Sequence, residues 1–135
     1  MTKIFVNMAR LPSPVPTEVE LSILHVLWRN GPSTVRQVYN ALKDERGTGY
    51  STTLKMIQVM TDKKLLLKDD SQRPQVYRPS RREDQTKLQL VDDLIQRGFS
   101  GSAAKLVMSA VSSKRVGSDE LKQIRELLKP QPPKP

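Results

Sequence analysis

The spacing of apolar residues in the first half of the chain predicts three helices. The first has an apolar stripe within residues 21–28 and ends at Asn30-Gly31-Pro32, a strong terminator. Its start at Thr17-Glu18-Val19-Glu20 has the pattern of a capping box. The second and third helices are predicted to begin at Ser33 and Ser51, because a hydroxyl accepts well from the free N–H groups of a first turn.

The predicted third helix has one apolar face and one face without acids. Thr53, Met56, Ile57 and Met60 share the apolar face, and no acid occurs before Asp62. Short polar and basic side chains reach base edges and phosphates of DNA without carboxylate repulsion, so this helix is predicted to enter a major groove. The face without acids before Asp62 carries Thr52, Lys55, Gln58 and Val59. The alternative interpretation is that this face is an ordinary solvated helix surface.

Two short strands are predicted after the third helix, at residues 65–67 and 75–78, on either side of a polar, turn-rich loop. Three helices followed by a hairpin have the order of a winged helix-turn-helix domain. Arg73 near the loop tip is expected to lie along a phosphate backbone, although the neighbouring Asp69 and Asp70 weaken that expectation.

Three further amphipathic helices are predicted in the last third of the chain, the first ending at Gly98 and the last opening at Gly117-Ser118-Asp119. Helices of this size have too much apolar surface to stay uncovered in water, so they must pack on the front domain or on a second copy. The residues predicted to form the dimer contact are Leu88, Val91, Leu94, Ile95, Phe99, Leu106, Val107, Val111, Leu121, Ile124 and Leu128.

These patterns predict a mainly α chain built as an N-terminal winged helix-turn-helix domain with a three-helix C-terminal dimerisation domain. The expected bounds are residues 17–80 for the DNA-binding domain and 81–129 for the helical domain. A flexible arm is expected at residues 1–16, where three prolines oppose helix, and a disordered tail at residues 130–135.

Charge supports a polyanion as partner. The net charge is +9, and residues 1–82 carry twice as many Lys and Arg as Asp and Glu, whereas the two kinds nearly balance in residues 83–135. Charge kept only for solubility is the alternative. There is no cysteine and a single histidine, His25, so we expect no enzyme, no metal site and no cofactor. No apolar run approaches the roughly 18 residues that span a bilayer, and a cytoplasmic location is expected.

Several stretches together resemble the BlaI/MecI/CopY family of bacterial transcriptional repressors, which includes the β-lactamase and methicillin-resistance repressors. They are EVEL at residues 18–21, LHVLW at 24–28, GYSTTLKM at 49–56, QVM at 58–60, QRPQVYR at 72–78 and GSAAKLV at 101–107. The resemblance implies a homodimer that binds a palindromic operator in double-stranded DNA, blocks transcription and serves a β-lactam or other stress response.

The resemblance also implies a release mechanism, in which a membrane-bound sensor-protease cuts the dimerisation region. On this chain the bond falls at Ser109–Ala110, where the Asn-Phe pair usual in the family is absent. The copper-responsive branch of the family holds metal with a C-terminal cysteine cluster, which this chain lacks.

Within a DNA-binding interface we expect two groups of residues. Thr52, Lys55 and Gln58 are predicted to face base edges, and Val59 a thymine methyl group. The residues predicted to contact phosphates are Ser33, Thr34, Tyr50, Ser51, Arg73 and Arg78.

A protein-interaction adaptor and an RNA-binding module are the alternative functions. The adaptor predicts weak, sequence-blind DNA binding, and the RNA module needs exposed aromatic side chains.

Overall fold

The computed structural model describes residues 15–130, which form six helices and one hairpin. Almost all of the predicted arm and of the predicted tail lies outside these residues. The chain divides into two compact units, of which the first ends at Leu90 and the second begins at Val91. The elements are α1 (Glu18–Asn30), α2 (Val35–Arg46), α3 (Tyr50–Asp62), β1 (Leu66–Asp69), β2 (Val76–Pro79), α4 (Glu83–Gly98), α5 (Ala103–Ser112) and α6 (Ser118–Leu128). The architecture is a winged helix-turn-helix domain followed by a helical C-terminal region, as predicted.

α1 begins and ends where the sequence predicts. Thr17 Oγ1 accepts from the N–H of Glu20 at 3.2 Å, and Glu20 Oε1 accepts from the N–H of Thr17 at 2.9 Å, which completes the capping box. Gly31 ends the helix with φ at 86°, a conformation that glycine adopts without steric strain. Its N–H donates to the Leu27 carbonyl at 2.8 Å.

The cap of α2 differs from the prediction. Thr34, and not Ser33, is the N-cap: its side chain accepts from the N–H of Gln37, and the Gln37 side chain accepts in return from the N–H of Thr34. Ser33 instead pairs with Tyr77 of β2, donating its N–H at 3.0 Å and accepting the N–H of Tyr77 at 2.8 Å. The backbone of Ser33 is therefore used to attach the hairpin.

The start of α3 also differs from the prediction. The helix begins at Tyr50 with Gly49 as N-cap, so Ser51 lies within the first turn and does not cap it. Thr53 Oγ1 donates to the Gly49 carbonyl at 3.0 Å, which uses the hydroxyl inside the helix. The predicted cap was wrong by two positions because the chain enters the helix through glycine without a side-chain cap.

The hairpin is antiparallel and each strand starts one residue later than predicted. Leu66 pairs with Pro79 and Asp69 with Val76. The loop between the strands is polar, as expected. The Ser33–Tyr77 bridge joins the hairpin to the segment before α2, so the wing is fixed to the helical part of the first unit.

The core of the first unit lies between α1, α2, α3 and the hairpin. Most of its members come from the apolar stripes that the sequence predicts, and burial of each such side chain contributes about 1.5–3 kcal/mol. These side chains fix the rotation of α3 about its own axis. The core consists of Ile23, Leu24, Val26, Leu27, Val35, Val38, Leu42, Ile57, Met60, Leu65, Leu66 and Tyr77.

The second unit has regular helices without a buried core. Ser102 caps α5 by accepting from the N–H of Lys105 at 3.1 Å, and the N–H of Gly117 donates to Glu120 Oε1 at 2.9 Å before α6. Among residues 91–130 no side chain is fully buried. The apolar side chains of residues 91–130 are therefore exposed or only half-buried.

Candidate nucleic-acid interface

The structure divides α3 into the two faces that the sequence predicts. Thr53, Ile57 and Met60 are buried, and the last two have no measurable exposure. The four side chains predicted to contact bases are exposed, and they project from the opposite side of the helix. The packed face therefore holds the exposed face at a fixed rotation. The exposed residues are Thr52, Lys55, Gln58 and Val59.

The exposed face of α3 carries no negative charge before its last residue. That residue, Asp62, is exposed and is the only acid in the helix. Lys55 forms no ion pair within residues 15–130, so its charge is available to an external partner. The part of this face before Asp62 can approach the major groove without electrostatic repulsion from the phosphates.

An ion pair with one buried member, the Glu20 carboxylate, lies at the C-terminal end of α3. Lys63, the residue that follows the helix, donates from Nζ to Glu20 Oε2 at 2.7 Å, and the Glu20 side chain is 2% exposed. Burial alone would raise the pKa of the Glu20 carboxyl, but the hydrogen bonds from Lys63 and Thr17 bring that pKa below its ordinary value. Sequence reasoning assigned Glu20 only to the capping box and missed its second partner.

Five of the six predicted phosphate-contact residues are accessible. Tyr50 and Ser51 are exposed in the first turn of α3, and Thr34 is half-buried at the start of α2. Ser33 is only 4% exposed, and its hydroxyl donates to the Gly31 carbonyl at 2.8 Å. We therefore leave Ser33 out of the interface. The other accessible residues are Arg73 and Arg78.

The loop between β1 and β2, which forms the tip of the wing, places the positive charge of Arg73 close to the acids Asp69 and Asp70. Arg73 is exposed, but its Nη1 donates to the carbonyls of Asp70 and Gln72 in its own loop. Hydrogen bonds from Ser71 lower the pKa of the Asp69 carboxyl, so this acid stays ionised. Arg73 therefore has to exchange these loop contacts for a phosphate if it meets DNA. Arg78 on β2 forms no ion pair within residues 15–130, although its charge contributes to the lowered pKa of Asp69.

Two cations and two tyrosines form a cluster that the sequence analysis did not identify. We call Arg36, Tyr39, Lys43 and Tyr50 the Arg36 cluster. The guanidinium carbon of Arg36 lies 4.2 Å from the ring centroid of Tyr50 and 5.5 Å from that of Tyr39. Lys43 Nζ lies 5.8 Å from the Tyr39 centroid, and the two rings meet edge to face at 5.8 Å. The spacing of Arg36, Tyr39 and Lys43 along one helix face was the available signal.

The residues predicted to form the dimer contact remain accessible. Leu88 lies in the first unit and the others in the second. Met108 and Leu127, which the prediction omitted, are 59% and 78% exposed. Of the predicted residues, Ile95, Phe99, Leu106, Leu121 and Ile124 are half-buried and Leu88, Val91, Leu94, Val107, Val111 and Leu128 are exposed.

The predicted cleavage position lies inside a helix. Ser109 and Ala110 are exposed residues of α5. Their carbonyls accept from the N–H and the hydroxyl of Ser113, at 3.0 and 2.9 Å. A protease that binds an extended substrate would therefore have to unwind the last turns of α5.

Other kinds of site are not found in the described residues. No group of three or more His, Cys, Asp or Glu side chains converges within residues 15–130 to hold a metal ion. His25 is exposed and its ring meets Trp28 edge to face at 5.5 Å, which is a packing contact. None of the helices in this part of the chain has the length and apolar content to cross a membrane.

Comparison with known proteins identifies the family. The model of the family described as penicillinase repressor matches residues 16–130. The chain is also similar to the proteins named transcriptional regulator BlaI in two strains of Mycobacterium tuberculosis, CDC 1551/Oshkosh and ATCC 25618/H37Rv. Each is 34% identical to it over 113 residues, which cover 82% of this chain and 80% of the relative. The chain belongs to the penicillinase repressor family, the BlaI/MecI/CopY family of transcriptional repressors that its sequence resembles.

Proposed function

We propose that the protein is a sequence-specific repressor that binds a palindromic operator as a homodimer and blocks transcription. The observation that carries the proposal is the exposed face of α3, which has no acid before Asp62 and which packing of Thr53, Ile57 and Met60 holds outward. A rigid helix with such a face suits the major groove, whose width accepts one helix. Membership of a family of transcriptional repressors supports the same function.

In this proposal α3 reads bases and the surrounding residues position it. Lys55 and Gln58 donate to base edges, Thr52 contacts them with its hydroxyl, and Val59 meets a thymine methyl group. Phosphate contacts come from Arg78 on the wing and from the start of α3, and they carry no sequence information. Arg73 joins them when its loop contacts are exchanged. The remaining phosphate contacts are assigned to Thr34, Tyr50 and Ser51.

The two roles differ in their response to substitution. Lys55→Ala is expected to cost about 1–3 kcal/mol on the operator and much less on random DNA, since a base contact is lost. Arg73→Ala is expected to weaken binding equally on both. Fluorescence anisotropy with operator and scrambled duplexes at one salt concentration measures both affinities. Equal losses for Lys55→Ala would show that Lys55 does not read a base. Weak and sequence-blind binding by the unsubstituted protein would favour the adaptor function instead.

Dimerisation is proposed to occur through the apolar faces of α4, α5 and α6. The exposure of large apolar side chains such as Met108 and Leu127 supports this, because a monomer in water would leave them uncovered. Two linked half-site binders gain about 10²–10⁴-fold in affinity through effective concentration. Separation of the C-terminal helices therefore releases DNA without a change in α3.

A charge placed in the proposed contact tests this step. Leu106→Glu or Val107→Glu is expected to give a monomer with a folded first unit and weak operator binding. Lys105→Glu is the matched control, because Lys105 is exposed on the same helix and has no predicted part in the contact. Sedimentation velocity measures the oligomeric state. An intact dimer of Leu106→Glu that retains full operator affinity would contradict the assignment.

Release by proteolysis is proposed to require local unfolding, because the Ser109–Ala110 bond lies within α5. Mass spectrometry of the protein from source cells before and after β-lactam exposure tests for a fragment that ends at Ser109. An uncut chain that nevertheless leaves the operator would assign release to another signal.

A further inference from the structure

The Arg36 cluster holds two positive charges near one aromatic ring. Arg36, Tyr39 and Lys43 follow one another at intervals of three and four residues, so they share a face of α2. Neither cation forms an ion pair within residues 15–130. Two cations beside one ring, with no acid paired to either, attract an anion. The cluster therefore favours an anionic partner and is not an internal ion pair.

The Arg36 side chain donates no hydrogen bond within residues 15–130, so its N–H groups are available to a ligand while the guanidinium contacts Tyr50. A guanidinium above an aromatic ring uses its face for the contact and keeps its N–H groups at its edge. The carbon lies 4.2 Å from the ring centroid, so the group is in direct contact with Tyr50. Contact with two rings restricts the rotamers of the Arg36 side chain. Arg36 therefore loses less conformational entropy when it binds a ligand.

The cluster also lies at the first turn of α3. Tyr50 is the first residue of α3, and the other three belong to α2. Tyr50 is therefore shared between the cluster and the proposed DNA interface. A phosphate bound by Arg36 would lie next to the end of α3 that enters the groove.

Resting on the proposed DNA-binding function, we propose that the Arg36 cluster binds a backbone phosphate of double-stranded DNA next to the half-site that α3 reads. Arg36 donates to the phosphate oxygens, Lys43 supplies a second positive charge, and Tyr39 and Tyr50 orient the guanidinium. Phosphates carry no base identity, so the contact strengthens binding to every sequence and fixes the position of α3 on the duplex.

Salt dependence of binding distinguishes a phosphate contact from a structural role. The full chain is titrated against labelled operator and random duplexes over a series of salt concentrations, and the slope of log K against log[salt] is measured. The variants are Arg36→Ala, Arg36→Lys and Tyr39→Leu. Lys122→Ala is the matched control, because Lys122 is an exposed cation on α6 that forms no ion pair within the described residues.

Arg36→Ala is expected to reduce the magnitude of the slope by about 0.9 for each half-site, and by about 1.8 for a dimer, with the same fold-loss of affinity on both duplexes. Arg36→Lys and Tyr39→Leu should bind more weakly but retain the slope, since the charge remains without its fixed orientation. Lys122→Ala should change neither quantity. Arg36 is exposed, so its substitution should leave the fold intact, and thermal unfolding of each variant checks this.

A slope for Arg36→Ala equal to that of the unsubstituted protein would overturn the phosphate site. So would a loss confined to the operator, which would indicate base readout. An unsubstituted protein that binds all duplexes equally would overturn the proposed repressor function, while the slope test on random DNA would still decide the role of Arg36. A protein that binds no duplex at all would overturn both proposals.

Discussion

The ion pair between Glu20 and Lys63 is predicted to stabilise the first unit and to fix the end of α3. Lys63→Met keeps the aliphatic chain and leaves the buried Glu20 carboxylate with Thr17 as its remaining partner. Loss of one member of a fully buried pair costs about 3–5 kcal/mol, and an exposed pair contributes about 0–1 kcal/mol. The Lys63 side chain is 33% exposed and that of Glu20 is 2% exposed, so we expect a loss of about 2 kcal/mol.

Urea denaturation at fixed protein concentration measures this loss, because the stability of an oligomer depends on concentration. A double-mutant cycle with Glu20→Gln and Lys63→Met isolates the pair, and a coupling energy of about 1–2 kcal/mol is expected at neutral pH. Lys64→Met is the control: Lys64 is the exposed neighbour and forms no ion pair within residues 15–130. It should change stability by less than about 0.5 kcal/mol.

The coupling between Glu20 and Lys63 should depend on pH with a defined sign. The pKa of the Glu20 carboxyl is lower in the folded protein than in the unfolded chain. Its contribution is therefore complete above the unfolded pKa of about 4.3, and it is lost as the pH falls through the folded pKa. A coupling energy below about 0.5 kcal/mol at neutral pH, or one unchanged by acid, would refute the reasoning.

Further substitutions test the cap, the core and the exposed face of α3. In urea denaturation, Thr34→Ala should destabilise the protein by about 1 kcal/mol and Ser51→Ala by less than about 0.5 kcal/mol, since Thr34 caps α2 and Ser51 caps no helix. A larger loss for Ser51→Ala than for Thr34→Ala would contradict the assignment. Ile57→Ala should cost about 2–5 kcal/mol because Ile57 is fully buried, and a loss below 1 kcal/mol would contradict the described packing. Val59→Ala should leave the thermal midpoint unchanged and weaken operator binding in anisotropy titrations; unchanged affinity would remove Val59 from the interface.

Local patterns predicted the elements of the fold well. The capping box at Thr17 and Glu20 depends on residues three apart, and it forms as expected. The separation of Lys55 from Ile57 on opposite faces of α3 follows from helical period alone. The winged-helix order likewise follows from the sequence of apolar stripes and turn residues.

Contacts between distant segments explain the errors at the caps and the strands. Ser33 and Thr34 are both suitable caps, and the choice depends on the pairing of Ser33 with Tyr77 in the hairpin, 44 positions along the chain. The strands were displaced by one residue because antiparallel register depends on the partner strand. Propensity within one segment contains no information on either partner.

The same limit applies to the candidate site. Lys55 and Gln58 could be placed on the exposed face of α3 from spacing, but the position of Arg36 above Tyr50 depends on the packing of α2 against α3. Glu20 and Lys63 meet across a sequence separation of 43 residues. Each of these pairs combines residue types that are common on protein surfaces, so the sequence alone did not distinguish them from solvated side chains.

Selection of DNA fragments from the source genome with the purified full chain tests the central claim most directly. The account predicts that the bound fragments share an inverted repeat whose half-site centres lie a whole number of helical turns apart, at about 10–10.5 base pairs per turn. This spacing places the α3 helices of two protomers in grooves on the same side of the duplex. Bound fragments with no common sequence, or with a single half-site sufficient for full affinity, would contradict the account.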